Sequence, residues 1–153
     1  MAGYVLREAE GRNYRWGPPG HLVTIKGMAD VTNGDVAFME FATERGKEPP
    51  SHVHAGEDEM FFLLSGELTV TCGNASFDAG PGDFVFLPAD VPHTYAVNTD
   101  GLVHLLVVTI CRQQDGRHFG RDIEHTGEPV TREVVLDYMA ELRKRAPQRP
   151  VGS

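Results

Sequence analysis

The sequence predicts an all-β fold, an antiparallel sandwich or barrel closed by one C-terminal helix, and three features carry that prediction. Between residues 20 and 111, short runs rich in Val, Phe, Leu and Thr recur at intervals of about ten residues. Gly, Pro, Asn and Asp separate those runs, as turn chemistry requires. From Thr131 onward the apolar residues follow a helical spacing instead.

In chain order, the expected strands are His21 to Lys26, Asp35 to Thr43, Glu59 to Leu64, Glu67 to Cys72, Ala75 to Phe77, Asp83 to Leu87, His93 to Val97 and Leu102 to Ile110. Ser65-Gly66 and Gly73-Asn74 read as hairpin turns, because Gly tolerates the positive φ that such turns use, so neighbouring strands are expected to be antiparallel. The polar stretch 112–129 has too few apolar residues for a second core and reads as an ordered loop or flap, or as an arm exchanged with a second subunit. Val134, Val135, Tyr138, Met139 and Leu142 then mark an amphipathic helix over 131–145, with Thr131 as N-cap and basic residues in the last turn. The tail 146–153, with Pro147, Pro150 and Gly152, is expected to fray.

At 153 residues the chain has the length of one domain, with the barrel core at about 20–111. A formal net charge of −8 argues against a nucleic-acid footprint, since phosphate binding needs clustered Lys and Arg and the one basic cluster, Arg143 to Arg145, lies near the chain end. Cys72 and Cys111 form no CxxC and read as reduced spectators. Met1 to Glu10 holds no apolar stretch of signal-peptide length, and His104 and Thr109 interrupt the longest apolar run, Leu102 to Cys111. No membrane partner is expected, and a cytoplasmic location follows as the default.

The chemistry concentrates between Gly46 and Gly66. In an extended strand His52 and His54 point to one face, because side chains alternate with a period of two. Glu59 opens the next β-type run after a short Gly-containing turn and can approach the same point, and His93, just after Pro92, can add a third imidazole. Three neutral imidazoles and a carboxylate suit one divalent transition metal, Fe, Ni, Co, Mn, Cu or Zn, and leave positions for water or substrate. Glu57 and Asp58 read as solvated neighbours, and His21, His104, His118 and His125 as structural or surface residues. His104 lies in a β run and stands apart as a possible fourth ligand. By parity, Phe61 and Leu63 share the face of Glu59, and Tyr95 and Val97 that of His93. Phe61 and Tyr95 are the candidate substrate-pocket residues.

These residues resemble the two sequence motifs of the cupins. The first motif is similar at every named position: Gly46, five residues, His52-x-His54, four residues, Glu59, six residues, Gly66. Gly82, five residues, Pro88 and then His93 resemble the second. Two positions depart from it: Asp90 stands where the family usually has Gly, and Asn98 comes one residue later than the family Asn. The resemblance implies a jelly-roll barrel, also called a double-stranded β-helix, metal ligation by His52, His54, Glu59 and His93, and commonly a homodimer. The phrasing from His52 to Gly66 looks like the quercetin-dioxygenase-like group, which implies a dioxygenase taking O2 and an enolic or phenolic small molecule, with Glu59 as both ligand and general base. A non-redox isomerase or polyketide cyclase, and a small-molecule binder without turnover, are the alternative readings.

Overall fold

The computed structural model describes residues 2–18, 20–28, 35–112 and 118–145. Among them run ten strands: β1 (Arg12–Trp16), β2 (His21–Gly27), β3 (Val36–Thr43), β4 (Glu57–Ser65), β5 (Leu68–Cys72), β6 (Ala75–Ala79), β7 (Phe84–Leu87), β8 (His93–Val97), β9 (Val103–Cys111) and β10 (Glu128–Pro129). Two helices follow β9, α1 (Phe119–Thr126) and α2 (Arg132–Arg145). Seven strands form one sheet in the order β10-β1-β2-β3-β9-β4-β7, and β6-β5-β8 form the other. The strand pairs are antiparallel. This is the antiparallel architecture of a jelly roll.

Alternation along the strands builds the interior. In β4, Glu59, Phe61 and Leu63 are buried while Phe62 and Leu64 are exposed. Phe61, Leu63 and Val107 of the larger sheet meet Leu68, Val70 and Val97 of the smaller one in a single apolar cluster. A second cluster lies on the opposite face of the large sheet, where Val135, Met139 and Leu142 of α2 cover Leu22, Ala42 and Leu102. Thr131 caps α2 as expected, its hydroxyl accepting the Val134 N–H at 3.3 Å.

Three elements differ from the expectation. β1 extends the large sheet before residue 20; its apolar residues Tyr14 and Trp16 alternate with charged Arg12 and Arg15 and with Asn13, so its apolar signal is thin. Gly73-Asn74 does close a hairpin, between β5 and β6, but Ser65-Gly66 does not. There the chain leaves the large sheet for the small one, and β4 pairs with β7 and β9 instead of β5. Gly66 has φ +85°, and a Cβ on it would stand 2.9 Å from the Leu102 carbonyl oxygen, so glycine serves a close crossing rather than a hairpin. The polar stretch after β9 holds α1 and β10, although its first residues, 113–117, and the tail 146–153 lie outside the described residues. Ile123 is fully buried and Phe119 nearly so, one turn apart, which is enough to dock a short helix whose other residues are polar.

Candidate metal centre

The two histidine-bearing segments are tied together by backbone. His52 and His93 exchange both N–H···O=C bonds, at 3.0 and 2.9 Å, in an isolated bridge beside β8. A second tie follows two residues on, where the Asp90 N–H donates to the His54 carbonyl at 3.1 Å. Asp90 takes φ +68°, the left-handed conformation that glycine would adopt most easily. Its carboxylate accepts the Gly56 N–H at 3.0 Å, so the departure from the family glycine keeps the turn and adds a cross-link.

Across this frame the four side chains converge. The ligand atoms of His52, His54, Glu59 and His93 lie within 4.8 Å of one another and could hold a metal ion. Glu59 Oε2 is 2.9 Å from His93 Nε2 and 3.3 Å from His54 Nε2. Adjacent ligands held at about 2.1 Å from one ion stand roughly 3 Å apart, so these separations suit a shared ion. All three atoms are buried, and none of them has an aligned hydrogen-bond partner. Such orphaned atoms are costly unless a ligand completes them. Two rings are also pre-aimed: His52 Nδ1 meets the Pro50 carbonyl at 2.8 Å and His93 Nδ1 the Val91 carbonyl at 3.1 Å. With the proton held at Nδ1, Nε2 presents its lone pair inward.

The electrostatics agree with that arrangement. Burial by itself would raise the pKa of Glu59, but the imidazoles of His54 and His93 outweigh it and hold the carboxyl down at about 2. The same carboxylate overcomes burial at His54 and raises it, whereas burial and the neighbouring His93 and His54 lower His52.

The group opens on a cavity of about 340 Å³. Phe61 and Tyr95 line it, together with Trp16, Phe41, Leu105, Val107 and Phe119. Burial raises the pKa of the Tyr95 hydroxyl above its ordinary value, so it stays protonated at neutral pH. Helix α1 supplies one wall: the Phe119 ring lies 4.7 Å from that of His54, 5.0 Å from Trp16 and 6.1 Å from Phe41. The helix is fastened by Trp16 Nε1, which donates to Thr126 Oγ1 at 2.9 Å, and by an Arg12–Glu124 ion pair at 2.7 Å.

Several expectations for single residues are corrected. Glu57 and Asp58 are buried, not solvated. Glu57 accepts the Phe119 N–H with both oxygens, at 3.1 and 3.0 Å, and so caps α1. Asp58 accepts the Ala89 N–H at 2.8 Å and pairs with Arg112. His104, in keeping with a structural role, points to the outer face of the large sheet, 3.6 Å from Glu40, away from the metal group. His21 is buried in the cavity wall, with Nδ1 2.9 Å from Thr43 Oγ1. Trp16, Phe41 and Asp122, not among the expected pocket residues, also line the cavity, while Phe119 lines it from within the polar stretch read as a flap. Phe41 was findable by parity within its strand; the other three depend on β1 and α1, whose patterns are weak.

His21 carries a pH prediction. Burial is the main cause that lowers its pKa from 6.5 to about 4; Lys47 and His52 lower it further and Glu48 opposes them. The unfolded chain therefore takes up the proton first, and stability is lost as pH falls from 6.5 toward 4. By pH 5 this amounts to about 2 kcal/mol. Melting of the metal-free protein at pH 7.5 and 5.0 is expected to show a smaller drop in His21→Gln than in the parent chain.

Comparison with known proteins now bears on this geometry. A family model described as the cupin domain matches residues 37–109. Among solved structures, a predicted oxalate decarboxylase from Thermotoga maritima superposes with a TM-score of 0.62 at 21% identity, covering 71% of this chain and 99% of that one. Residues 37–109 are a cupin domain. KdgF from Halomonas sp. shares the fold with a TM-score of 0.60 at 16% identity, over 75% of this chain and 98% of that one. Quercetin 2,3-dioxygenase from Bacillus subtilis (strain 168) is 29% identical over 98 residues, which is 63% of this chain but only 28% of that enzyme's length.

Proposed function

We propose that this protein is a metal-dependent dioxygenase acting on an enolic or phenolic ring compound, flavonol-like or another aromatic metabolite. The observation that carries the reading is the group of three imidazoles and one carboxylate bordering a largely aromatic cavity. A divalent metal there would supply Lewis acidity to a substrate hydroxyl and, if redox-active, electrons to O2. His52, His54 and His93 would hold it, each through Nε2. Glu59, kept ionised by its imidazole neighbours, would add one oxygen and take the proton from the enol or phenol. Phe61 and Phe119 would flank the ring and exclude water, and Tyr95 would offer a neutral hydroxyl. The partial likeness to quercetin 2,3-dioxygenase supports the reading.

Oxygen consumption by metal-stripped protein, reloaded separately with Fe(II), Ni, Co, Mn, Cu and Zn and offered flavonols and other hydroxylated aromatics, tests it. Metal-dependent uptake is expected. No uptake with any metal would overturn the oxygenase reading; product formed without oxygen would then assign an isomerase or cyclase, and saturable binding without product a binder.

A homodimer is part of the proposal. On the outer face of the large sheet Phe38, Val108, Met60 and Phe86 stand in one cross-strand row, with Leu106, Phe62 and Phe84 in the next. Phe84 is 64% exposed and Phe86 48%, both on the edge strand β7. A contiguous aromatic face of this kind marks an association surface. Phe84→Glu combined with Phe86→Glu is expected to halve the mass measured by light scattering, and a parent chain of monomer mass would overturn the dimer. Among the described residues no helix is long and apolar enough to cross a membrane, and a cytoplasmic location stays part of the proposal.

A further inference from the structure

Besides the four clustered ligand residues, His21 is a further titratable side chain that borders the cavity. His21 opens β2, which is separated from the Glu59-bearing strand β4 by β3 and β9, so the two residues line the cavity from strands set apart within one sheet. Its ring is buried, stands 6.1 Å from that of Phe41 and borders the cavity. The cross-strand partner Thr43, fully buried at the facing position of β3, fixes the ring by its 2.9 Å contact to Nδ1. Among the described residues, Nε2 has no hydrogen-bond partner. The rings of Trp16, Phe41 and Phe61 also line the cavity and suit a flat conjugated ligand, with Tyr95 and Asp122 as the cavity's other polar lining residues.

We infer that His21 Nε2 recognises a second oxygen of the substrate, a hydroxyl or carbonyl on the rim of a planar ring system whose other edge carries the enol or phenol directed at His52, His54, Glu59 and His93. This rests on the proposed function and narrows it: the substrate class is a polyoxygenated aromatic, not a simple phenol or a bare chelating ring. Thr43 is the positioning residue, acting through the His21 ring. Because the Thr43 hydroxyl can donate to Nδ1 or accept from it, His21 can meet either a hydroxyl or a carbonyl. A wall that presents an imidazole nitrogen discriminates against an analogue lacking the oxygen, which leaves the nitrogen buried and unpaired.

Trp16 provides the measurement. It is the single tryptophan of the chain and lines the cavity, so quenching of its fluorescence reports occupancy. The protein is loaded with Zn, which undergoes no redox change and so supports binding without oxidative turnover. It is titrated with two probes, 3-hydroxyflavone and a flavonol bearing hydroxyls on both outer rings. The parent protein is expected to prefer the hydroxylated probe by about 10-fold or more. His21→Phe is expected to bring the ratio of the two dissociation constants to about 1, and Thr43→Val, which keeps the volume and removes the hydroxyl, to lower it several-fold. Thr43→Val carries the test alone if His21→Phe does not fold. A ratio that stays at its parent value in the folded variants would overturn the role of His21 while leaving the proposed function intact. Quenching by neither probe would instead overturn the aromatic-substrate reading, and this inference with it.

Discussion

His93→Ala is expected to weaken metal binding by at least about 100-fold, measured by competition against a chelator of known affinity. The estimate is conservative, because losing even a residue that only orients a ligand costs about 10–100-fold, and His93 is itself aimed at the group. Its Nε2 is 2.9 Å from Glu59 Oε2, its Nδ1 is held at the Val91 carbonyl, and its side chain is almost fully buried. The backbone bridge to His52 does not involve the ring, so His52 and His54 are expected to keep their places. Melting of the metal-free variant close to that of the metal-free parent would show that the loss is one of ligation rather than of fold. A variant that binds metal as tightly as the parent would remove His93 from the site.

Glu59→Gln is expected to lower turnover by about 10²–10⁴-fold while costing far less metal than His93→Ala. The amide keeps the size of the side chain and one oxygen for ligation but cannot take a proton, and loss of a positioned proton acceptor costs that range. The acidity of the site sets the sign of the pH effect. With a carboxyl held down at about 2, Glu59 remains ionised across the working range, and its stabilising charge is lost only as pH falls from about 4.5 toward 2. Turnover in the parent should therefore show no acid limb from Glu59 above pH 4.5. Steady-state rates across pH, with metal content measured in each sample, check both statements; an unchanged rate in Glu59→Gln would exclude it as the proton acceptor.

The site was far more legible in the sequence than the cavity it serves. The four candidate ligands lie on or beside strands with clear alternation and fixed motif spacing, and a period of two is enough to turn His52 and His54 to one side. Eight expected strands correspond to β2 through β9, several of them to within a residue at each end. What escaped was decided at longer range. Ser65-Gly66 has the composition of a hairpin turn, but whether the chain folds back or crosses to the other sheet depends on β9 packing against Gly66. Glu57 and Asp58 are carboxylates in a polar run, and only the arrival of Phe119 and Arg112 buries them. His21 gave no spacing signal because its partners are Thr43 on the neighbouring strand and the cavity itself. Helix α1 is anchored by few apolar residues, so its pattern is that of a loop until Trp16 and Phe41 are beside it.

The most direct test of the central claim is X-ray absorption spectroscopy on the protein loaded with one equivalent of Co or Zn. The arrangement predicts a first shell of three imidazole nitrogens and at least one oxygen, with no sulfur, falling to two imidazoles in His93→Ala. A sulfur scatterer from Cys72 or Cys111, or an imidazole count that His93→Ala leaves unchanged, would contradict it.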